Sequence, residues 1–384
     1  MRQGTPARDD YNLPVSSRAV LTALASRGPA TRPQLGEALS LSKPTMSAAI
    51  AELTGHGLVT DRGSTRGATG RRAVVYSVAP AAGHVLGIEA GATRVRVSAC
   101  ALDGRLIETL EERLSRRPRN VTAGVMSTAV RLTEQVVAEV GDQNGPLRDV
   151  VVAGPTVPAA EGSGSLRLDG DDRFDRLLPL PAGVPVVVEN NVNCAAVAEH
   201  RVGAARNHDN FVYLQVGVKI GLGIMVNGRL LHGAHGAAGE VMMMPFPWTA
   251  GELPQRAALE EYLGSAALLA RCHDAWPAGH GAPPRDTEAL FAAATRGSEV
   301  ARRFVDQHAR DIGRLVVGVM SVVDPGLVVL GGGVGQNQLL LPEVRQVVRE
   351  LAWDTEITTG ALGEHATVQG AVHIAIARAL ARIA

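Results

Sequence analysis

The chain has 384 residues, enough for two or three domains, and its 38 basic and 38 acidic side chains give a formal net charge of zero. Its three cysteines, Cys100, Cys194 and Cys272, lie far apart without a CxxC or CxC pattern, so neither a disulfide framework nor a cysteine zinc site is indicated. The N-terminus is polar, and no apolar run reaches the ~20 residues of a membrane span. We therefore expect a cytoplasmic protein with buried, reduced thiols.

The charges are unevenly distributed along the chain. Residues 1–80 contain ten Lys or Arg and five Asp or Glu, so this segment is +5 and the remainder is −5. A basic module on an acidic body favours local contact with DNA over general attraction to polyanions.

Residues 34–59 carry the pattern of two short helices. Apolar residues recur at helical spacing in 35–39 and 46–53, with a polar turn at 40–44 between them. Ser42 is suited to cap the second helix, Pro44 is tolerated in its first turn, and the glycines at 55 and 57 suit its end. This arrangement predicts a helix-turn-helix, whose second helix enters the DNA major groove, with a pair of ordinary packed helices as the alternative.

The second helix is followed by a strand at 58–60, a basic loop at 63–72 and a strand at 73–78, which indicates a winged helix-turn-helix. We expect Ile50 and Leu53 to face the core. The side chains expected to face bases and phosphates from the helix are Ser42, Lys43, Thr45 and Ser47. The wing arginines, suited to phosphates and a narrow minor groove, are Arg62, Arg66, Arg71 and Arg72.

After a connector at 79–83, strands alternate with helices, which predicts α/β architecture. The predicted strands are 84–89, 94–102, 105–113, 150–152, 186–188, 211–216, 221–226 and 327–330. The predicted helices include 121–140, 192–202 and a closing helix at 368–383, whereas 1–16 is predicted to be frayed and 273–289 to be a loop. Glycine-containing turns around Gly91 and Gly221 suggest two duplicated lobes.

Five segments in order resemble the motifs of one family. Residues 89–93 (EAGAT) resemble DxGxT, 189–196 (ENNVNCAA) resemble ENDxNAAA, and 217–223 (GVKIGLG) resemble GTGIGxG. Residues 236–240 (GAAGE) resemble GxAGE, and 324–334 (DPGLVVLGGGV) resemble DPExIVLGGGV. Behind a winged helix-turn-helix, this order is similar to the repressor branch of the ROK family (repressors, open reading frames and sugar kinases), which includes xylose and N-acetylglucosamine regulators.

The resemblance implies a winged helix-turn-helix domain at 1–80 and an actin-like (ribonuclease H-like), two-lobed ROK domain at 81–384. The first lobe would comprise about 84–190 with the C-terminal helix 368–384, and the second about 191–367. The family binds its sugar between the lobes. The residues that match its sugar-contacting positions are Asn190, Asn191, Glu240 and Glu260.

The chain departs from the family pattern where catalysis would occur. Asn191 stands where the kinases have a catalytic Asp, and an amide cannot accept the proton of a sugar hydroxyl. Glu89 replaces the Asp of the first phosphate loop, and Lys219 replaces a glycine of the second. We therefore expect no phosphotransfer, no catalytic residue and no cofactor.

The family's structural zinc site is also missing from the sequence. Its histidine position is Met243, and no cysteine lies between Gly239 and Glu260, so we expect no bound metal. We expect the methionines at 242–244 to fill core space, and Phe246, Pro247 and Trp248 to hold this segment by packing.

These features predict a DNA-binding transcriptional regulator, a repressor of carbohydrate metabolism by analogy. Its ROK domain would form a homodimer or a dimer of dimers, read a pseudo-palindromic double-stranded operator, and sense a sugar or sugar derivative. Two alternatives are an active ROK sugar kinase with a DNA-binding domain and a ligand-independent DNA-binding scaffold.

Overall fold

The computed structural model describes residues 11–66, 72–91, 93–114, 121–154, 177–247 and 251–383. Over these ranges, no helix is both long and apolar enough to cross a membrane. The described chain divides into two compact units. The first contains the residues up to 154 together with 177–190 and 371–383, and the second contains 191–370.

The N-terminal module is a winged helix-turn-helix, as predicted. Its elements are α1 (Val15–Arg27), β1 (Ala30–Thr31), α2 (Arg32–Leu39), α3 (Lys43–Gly55), β2 (Val59–Arg66) and β3 (Arg72–Val78). The three strands form an antiparallel sheet in the order β1-β3-β2. Helix α2 begins with a capping box, in which Thr31 accepts a hydrogen bond from the Gln34 amide while the Gln34 side chain accepts one from the Thr31 amide.

Two sequence predictions for this module were wrong in extent. The N-terminal segment is ordered from before residue 16, because Leu13 is fully buried and α1 begins at Val15; residues 1–10 lie outside the described ranges. The wing strands are also longer than predicted. A bulge between Asp61 and Ser64, where the Gly63 amide donates to the Asp61 carboxylate at 2.6 Å, lets the ladder resume as far as Arg66.

The first lobe is built on a five-stranded mixed sheet. Its elements are β4 (His84–Ala90), β5 (Arg94–Ala101), β6 (Leu106–Arg113), α4 (Val121–Val140), β7 (Leu147–Gly154) and β8 (Val186–Asn190). The strand order is β6-β5-β4-β7-β8, antiparallel on the β5–β6 side of β4 and parallel on the other. The apolar side chains of α4, including Ala129 and Val136, pack on Leu86 and Val97 of the sheet and form its core.

The second unit repeats this strand order. Its strands are β9 (Phe211–Val216), β10 (Ile220–Val226), β11 (Arg229–Leu230), β12 (Leu327–Gly331) and β13 (Glu356–Thr359), in the order β11-β10-β9-β12-β13. Its helices are α5 (Asn191–Val202), α6 (Ala258–Leu263), α7 (Ser265–Asp274), α8 (Thr287–Thr295), α9 (Glu299–Val323), α10 (Gly332–Gly335) and α11 (Leu341–Leu351). Helix α12 (Ala366–Ile383) begins in the second unit and ends in the first.

The predicted α/β architecture and the duplicated lobes are therefore confirmed. In both sheets the first strand along the chain is central. The next two strands follow on one side through antiparallel pairing, and the last two follow on the other side through parallel pairing. Strand β13 was not predicted, and the predicted loop at 273–289 is shorter at both ends because α7 runs to Asp274 and α8 begins at Thr287.

Candidate DNA interface and ligand site

The N-terminal half of α3 presents short polar side chains to solvent. Ser42 is its N-cap, and its hydroxyl accepts a 3.3 Å hydrogen bond from the Thr45 amide and lies 2.8 Å from the Thr45 hydroxyl. Ser42, Lys43 and Ser47 are exposed and Thr45 is half-buried. The apolar residues of the same helix, Met46, Ala49, Ile50 and Leu53, are at most 2% exposed. The helix thus separates a core face, which includes Ile50 and Leu53 as predicted, from a polar face.

The wing contributes further basic groups to this module. Arg62 is exposed on β2, and Arg72 is exposed at the start of β3, in register with Arg66 of the neighbouring strand. The side chain of Arg66 and the whole of Arg71 lie outside the described part of the chain. The structure therefore shows Ser42, Lys43, Ser47 and Arg72 as accessible, while their contact with DNA stays a prediction.

Glu240 is held against β10 by a glycine that no other residue could replace without rearrangement. Gly239 has a φ of +87°, and a Cβ on it would lie 1.8 Å from the Leu222 carbonyl oxygen. The Leu222 amide donates to the Gly239 carbonyl at 3.1 Å. Glu260 of α6 accepts a 3.4 Å hydrogen bond from the Ile220 amide, at the start of the same strand. Glu240 thus follows a residue that is bonded to the third residue of β10, and Glu260 is bonded to the first, so both half-buried glutamates belong to the same end of this strand.

The two glutamates are also coupled electrostatically. Burial raises the pKa of Glu240, the nearby carboxylate of Glu260 raises this pKa further, and Lys219 opposes both. The site therefore combines two carboxyl groups, which accept hydrogen bonds from hydroxyl donors, with one neighbouring ammonium group.

The two asparagines of the predicted ligand site follow one another at the junction of the two units along the chain. Asn190 ends β8 in the first unit, and its backbone N–H donates to the Glu189 carboxylate at 2.7 Å. Asn191 is the first residue of α5, in the second unit. Of the four predicted ligand residues, the structure brings Glu240 and Glu260 together. Ligand contact for all four stays a prediction.

A row of charged residues across the first sheet was missed by the sequence reading. Glu89 on β4 stands opposite Arg96 on β5, which in turn stands opposite Glu111 on β6. Arg96 is only 2% exposed; its Nε donates to Glu111 at 2.9 Å, and its Nη1 lies 3.5 Å from a Glu89 carboxylate oxygen. The acidic side chain at the first phosphate loop is therefore paired with an internal cation. Sequence alternation places these residues on one face, but only the strand register reveals the row.

The methionine segment packs as expected, with one exception. Met242, Met244 and Phe246 contact the core of the second unit, and the Phe246 ring lies 5.1 Å from that of Tyr262. Met243 is 52% exposed, so it does not fill core space. Trp248 lies outside the described residues. Among the residues that the structure describes, no group of three or more His, Cys, Asp or Glu is placed to hold a metal ion.

Comparison with known proteins identifies the larger part of the chain. The profile of the ROK family matches residues 85–378. The chain belongs to the ROK family. A MarR family profile matches residues 11–72, which comprise most of the winged module.

A relative and a solved structure each align with nearly the whole chain. The putative xylose repressor of Caldicellulosiruptor sp. is 24% identical over 96% of both chains. The bifunctional enzyme NanE/NanK of Brucella melitensis is 32% identical over 55% of this ROK protein. The aligned part covers only 39% of the length of that enzyme. The crystal structure of a ROK family transcriptional regulator, a homolog of the E. coli MLC protein, has the same fold, with a TM-score of 0.73, 20% identity and coverage of 97% and 98%.

Proposed function

We propose that this ROK protein is a cytoplasmic DNA-binding transcriptional repressor whose ROK domain dimerises and senses a sugar or sugar derivative, without kinase activity. The observation that carries the proposal is the solvent-facing, capped N-terminal half of α3 in a chain that continues as a ROK domain. The exposed Lys43 and Ser47 suit base edges and phosphates, and the wing adds Arg62 and Arg72.

Sugar binding is supported by the glutamate pair in the second unit. Glu240 and Glu260 place acceptor groups beside the start of β10, where vicinal hydroxyls would find partners. A xylose repressor is among the relatives that span the chain, which makes a pentose or hexose the ligand class to test first.

The absence of kinase activity is supported by two residues. Asn191 provides an amide where a catalytic base is needed, and Glu89 is paired with the buried Arg96. The alternative, a ROK kinase that also binds DNA, is favoured by the similarity to the bifunctional enzyme NanE/NanK.

Fluorescence anisotropy of the full chain on DNA from its own upstream region tests the proposal. The titration is repeated with D-xylose, D-glucose, N-acetyl-D-glucosamine and the 6-phosphates of the two hexoses. We expect salt-dependent binding that one of these sugars shifts, and loss of the shift in Glu240→Gln and Glu260→Gln. Tight DNA binding that no sugar alters supports the ligand-independent scaffold instead, and no DNA binding overturns the proposal.

A coupled assay for ADP separates the repressor from the kinase alternative. We expect no sugar-dependent ADP release from the wild-type protein. Sugar-dependent ADP release by the purified wild-type protein would establish a kinase and would contradict the proposed role.

A further inference from the structure

Within the first unit, the winged module is attached to the first lobe through Arg148 of β7. The Arg148 Nη2 donates to the Tyr11 hydroxyl at 3.2 Å, and the guanidinium carbon lies 5.8 Å from the Tyr11 ring centroid. The Tyr11 ring meets the His56 ring edge-on at 5.0 Å, and His56 is the C-cap of α3. We call Arg148, Tyr11 and His56 the docking contact.

The connector beside the docking contact is tightly packed. Arg148 Nε donates to the Ala82 carbonyl at 2.9 Å, and the Ala79 amide donates to the Leu58 carbonyl of the winged module at 2.9 Å. A Cβ on Gly83 would lie 2.5 Å from the Pro146 carbonyl oxygen, and one on Gly145 would lie 2.3 Å from the Ala81 carbonyl oxygen. Because these backbone segments lie so close together, the connector at 79–83 has little conformational freedom, and it is not a flexible linker to the winged module.

The other side of Arg148 is held by the C-terminal helix. Asp149, the next residue, is fully buried and accepts a hydrogen bond from Arg378 at 3.2 Å and another from Arg382. Arg382 also donates to the carbonyl of Arg148 at 3.1 Å. Both arginines lie on α12, whose first turn belongs to the second unit.

The start of α12 is equally constrained within the second unit. A Cβ on Gly370 would lie 1.7 Å from the Cys194 carbonyl oxygen of α5, so this end of the helix cannot shift without α5. A single helix is therefore fixed to α5, the helix that begins at Asn191, at one end and to Arg148 and Asp149 at the other.

We propose that α12 and the docking contact form a relay between the ligand-binding ROK domain and α3, the recognition helix that is expected to enter the DNA major groove. The relay transmits movements of the ROK domain to this helix. A displacement of α12 moves Arg148 through Arg382 and Asp149, and Arg148 moves Tyr11 and the end of α3. The relay would carry the effect of a bound ligand to the DNA-binding helix, and in this it rests on the proposed function. Its movements can be measured without DNA or sugar.

Pulsed electron resonance distances on the full chain test the mechanics. Spin labels are placed at the exposed positions Glu37→Cys on α2 and Glu134→Cys on α4, while the native cysteines are buried and stay unlabelled. Labelled chain is diluted with unlabelled chain, so that distances within one chain dominate. We expect one narrow distance distribution in this labelled parent.

Three variants and one control separate the parts of the relay. Arg148→Ala should at least double the width of the distribution, and Tyr11→Phe, which keeps the ring but loses the hydroxyl, should broaden it by less. Arg378→Gln/Arg382→Gln should shift or broaden it as well. The matched control is Arg105→Ala, an exposed arginine of the β5–β6 turn, which should leave the distribution unchanged.

The distances distinguish the docking contact from its link to α12. A broad distribution in the parent, or a narrow one in both Arg148→Ala and Tyr11→Phe, overturns the docking contact. Broadening in these variants with no effect of Arg378→Gln/Arg382→Gln overturns the link to α12. If D-xylose alters DNA binding of the parent, Arg148→Ala should keep DNA binding and lose most of that response. A parent that responds to no sugar would count against the proposed function while the distances still decide the mechanics.

Discussion

At the residue scale, Glu240 belongs to the proposed ligand site, and its ionisation lowers the stability of the fold. Burial and the Glu260 carboxylate raise its pKa in the folded protein. An acid whose pKa is raised on folding binds more protons in the folded state, so its ionisation destabilises the fold above its ordinary pKa of 4.5. A site that holds two carboxyl groups together at neutral pH is better explained by ligand binding than by stability.

Glu240→Gln should therefore raise the melting temperature by roughly 1–2 °C at about pH 7.5. The gain should shrink as the pH falls toward 4.5, because Glu240 is then increasingly protonated in both states. Differential scanning fluorimetry at the two pH values measures the change in melting temperature. The control is Glu261→Gln, at an exposed position next to Glu260 in the sequence. An equal destabilisation by Glu240→Gln at both pH values would contradict an electrostatic cost of Glu240 and would show a structural role of its side chain that does not depend on ionisation.

His308 is a second residue whose environment predicts a pH effect. It is 1% exposed, and neither ring nitrogen has a hydrogen-bond partner among the described residues. Burial, with a smaller effect of Arg271, lowers its pKa from 6.5 to about 4. Between these values the unfolded chain binds more protons than the folded one, so stability is lost as the pH falls from 6.5 toward 4.

Substitution of His308 by Leu should remove this acid sensitivity. Between pH 7 and pH 5, the wild-type protein should lose about 2 kcal/mol of unfolding free energy through His308 alone, and His308→Leu should lack this loss. Urea unfolding at both pH values measures the difference. The exposed His365→Leu is the control, and an unchanged pH dependence in His308→Leu would mean that His308 is not buried in its neutral form.

At the scale of elements, the wing and the recognition helix are expected to contribute different terms to DNA binding. In the proposed complex, the wing arginines would neutralise phosphates, which supplies affinity without sequence preference, whereas α3 would present short side chains to base edges. The double variant Arg71→Ala/Arg72→Ala should therefore weaken binding to all DNA sequences alike.

The salt dependence of affinity makes the wing prediction quantitative. Each lost phosphate contact should reduce the slope of log affinity against log salt by about 0.9, so the double variant should lose roughly 2 for each bound module and roughly 4 for a dimer with both modules bound. Anisotropy titrations at several salt concentrations measure the slope, with Arg105→Ala/Arg296→Ala, two exposed arginines of the ROK domain, as the control. Unchanged affinity and slope would exclude the wing from the interface.

Elements with strong local signals could be predicted from sequence, and those fixed by pairing could not. Helix α3 has a capping serine, a proline in its first turn and a glycine end, and its observed range agrees with these signals. Strands β1 and β13 have two and four residues, too few for a periodic pattern, and they exist because β3 and β12 pair with them. Likewise, the family resemblance was needed to group Glu240 with Glu260. The two residues are twenty positions apart, and this spacing alone does not predict that they lie close together.

At the scale of the whole molecule, the proposed dimer predicts how the operator is read. Two winged modules related by a twofold axis place their recognition helices on two half-sites separated by about one DNA turn of 10–10.5 bp or a multiple of it. The packed connector at 79–83 limits how far each module can reorient to follow a displaced half-site.

An insertion of about 5 bp between the half-sites of a selected operator should therefore rotate them to opposite faces of the DNA and reduce affinity by about tenfold or more. The remaining binding should equal that of a single half-site, since only one module can then engage. Anisotropy on operators with insertions from about 1 to 10 bp measures the dependence, and an isolated half-site serves as the reference. Arg148→Ala, which frees the module in our proposal, should flatten this dependence. Affinity that does not vary with the insertion in the wild-type protein would contradict twofold recognition by a rigidly mounted pair of modules.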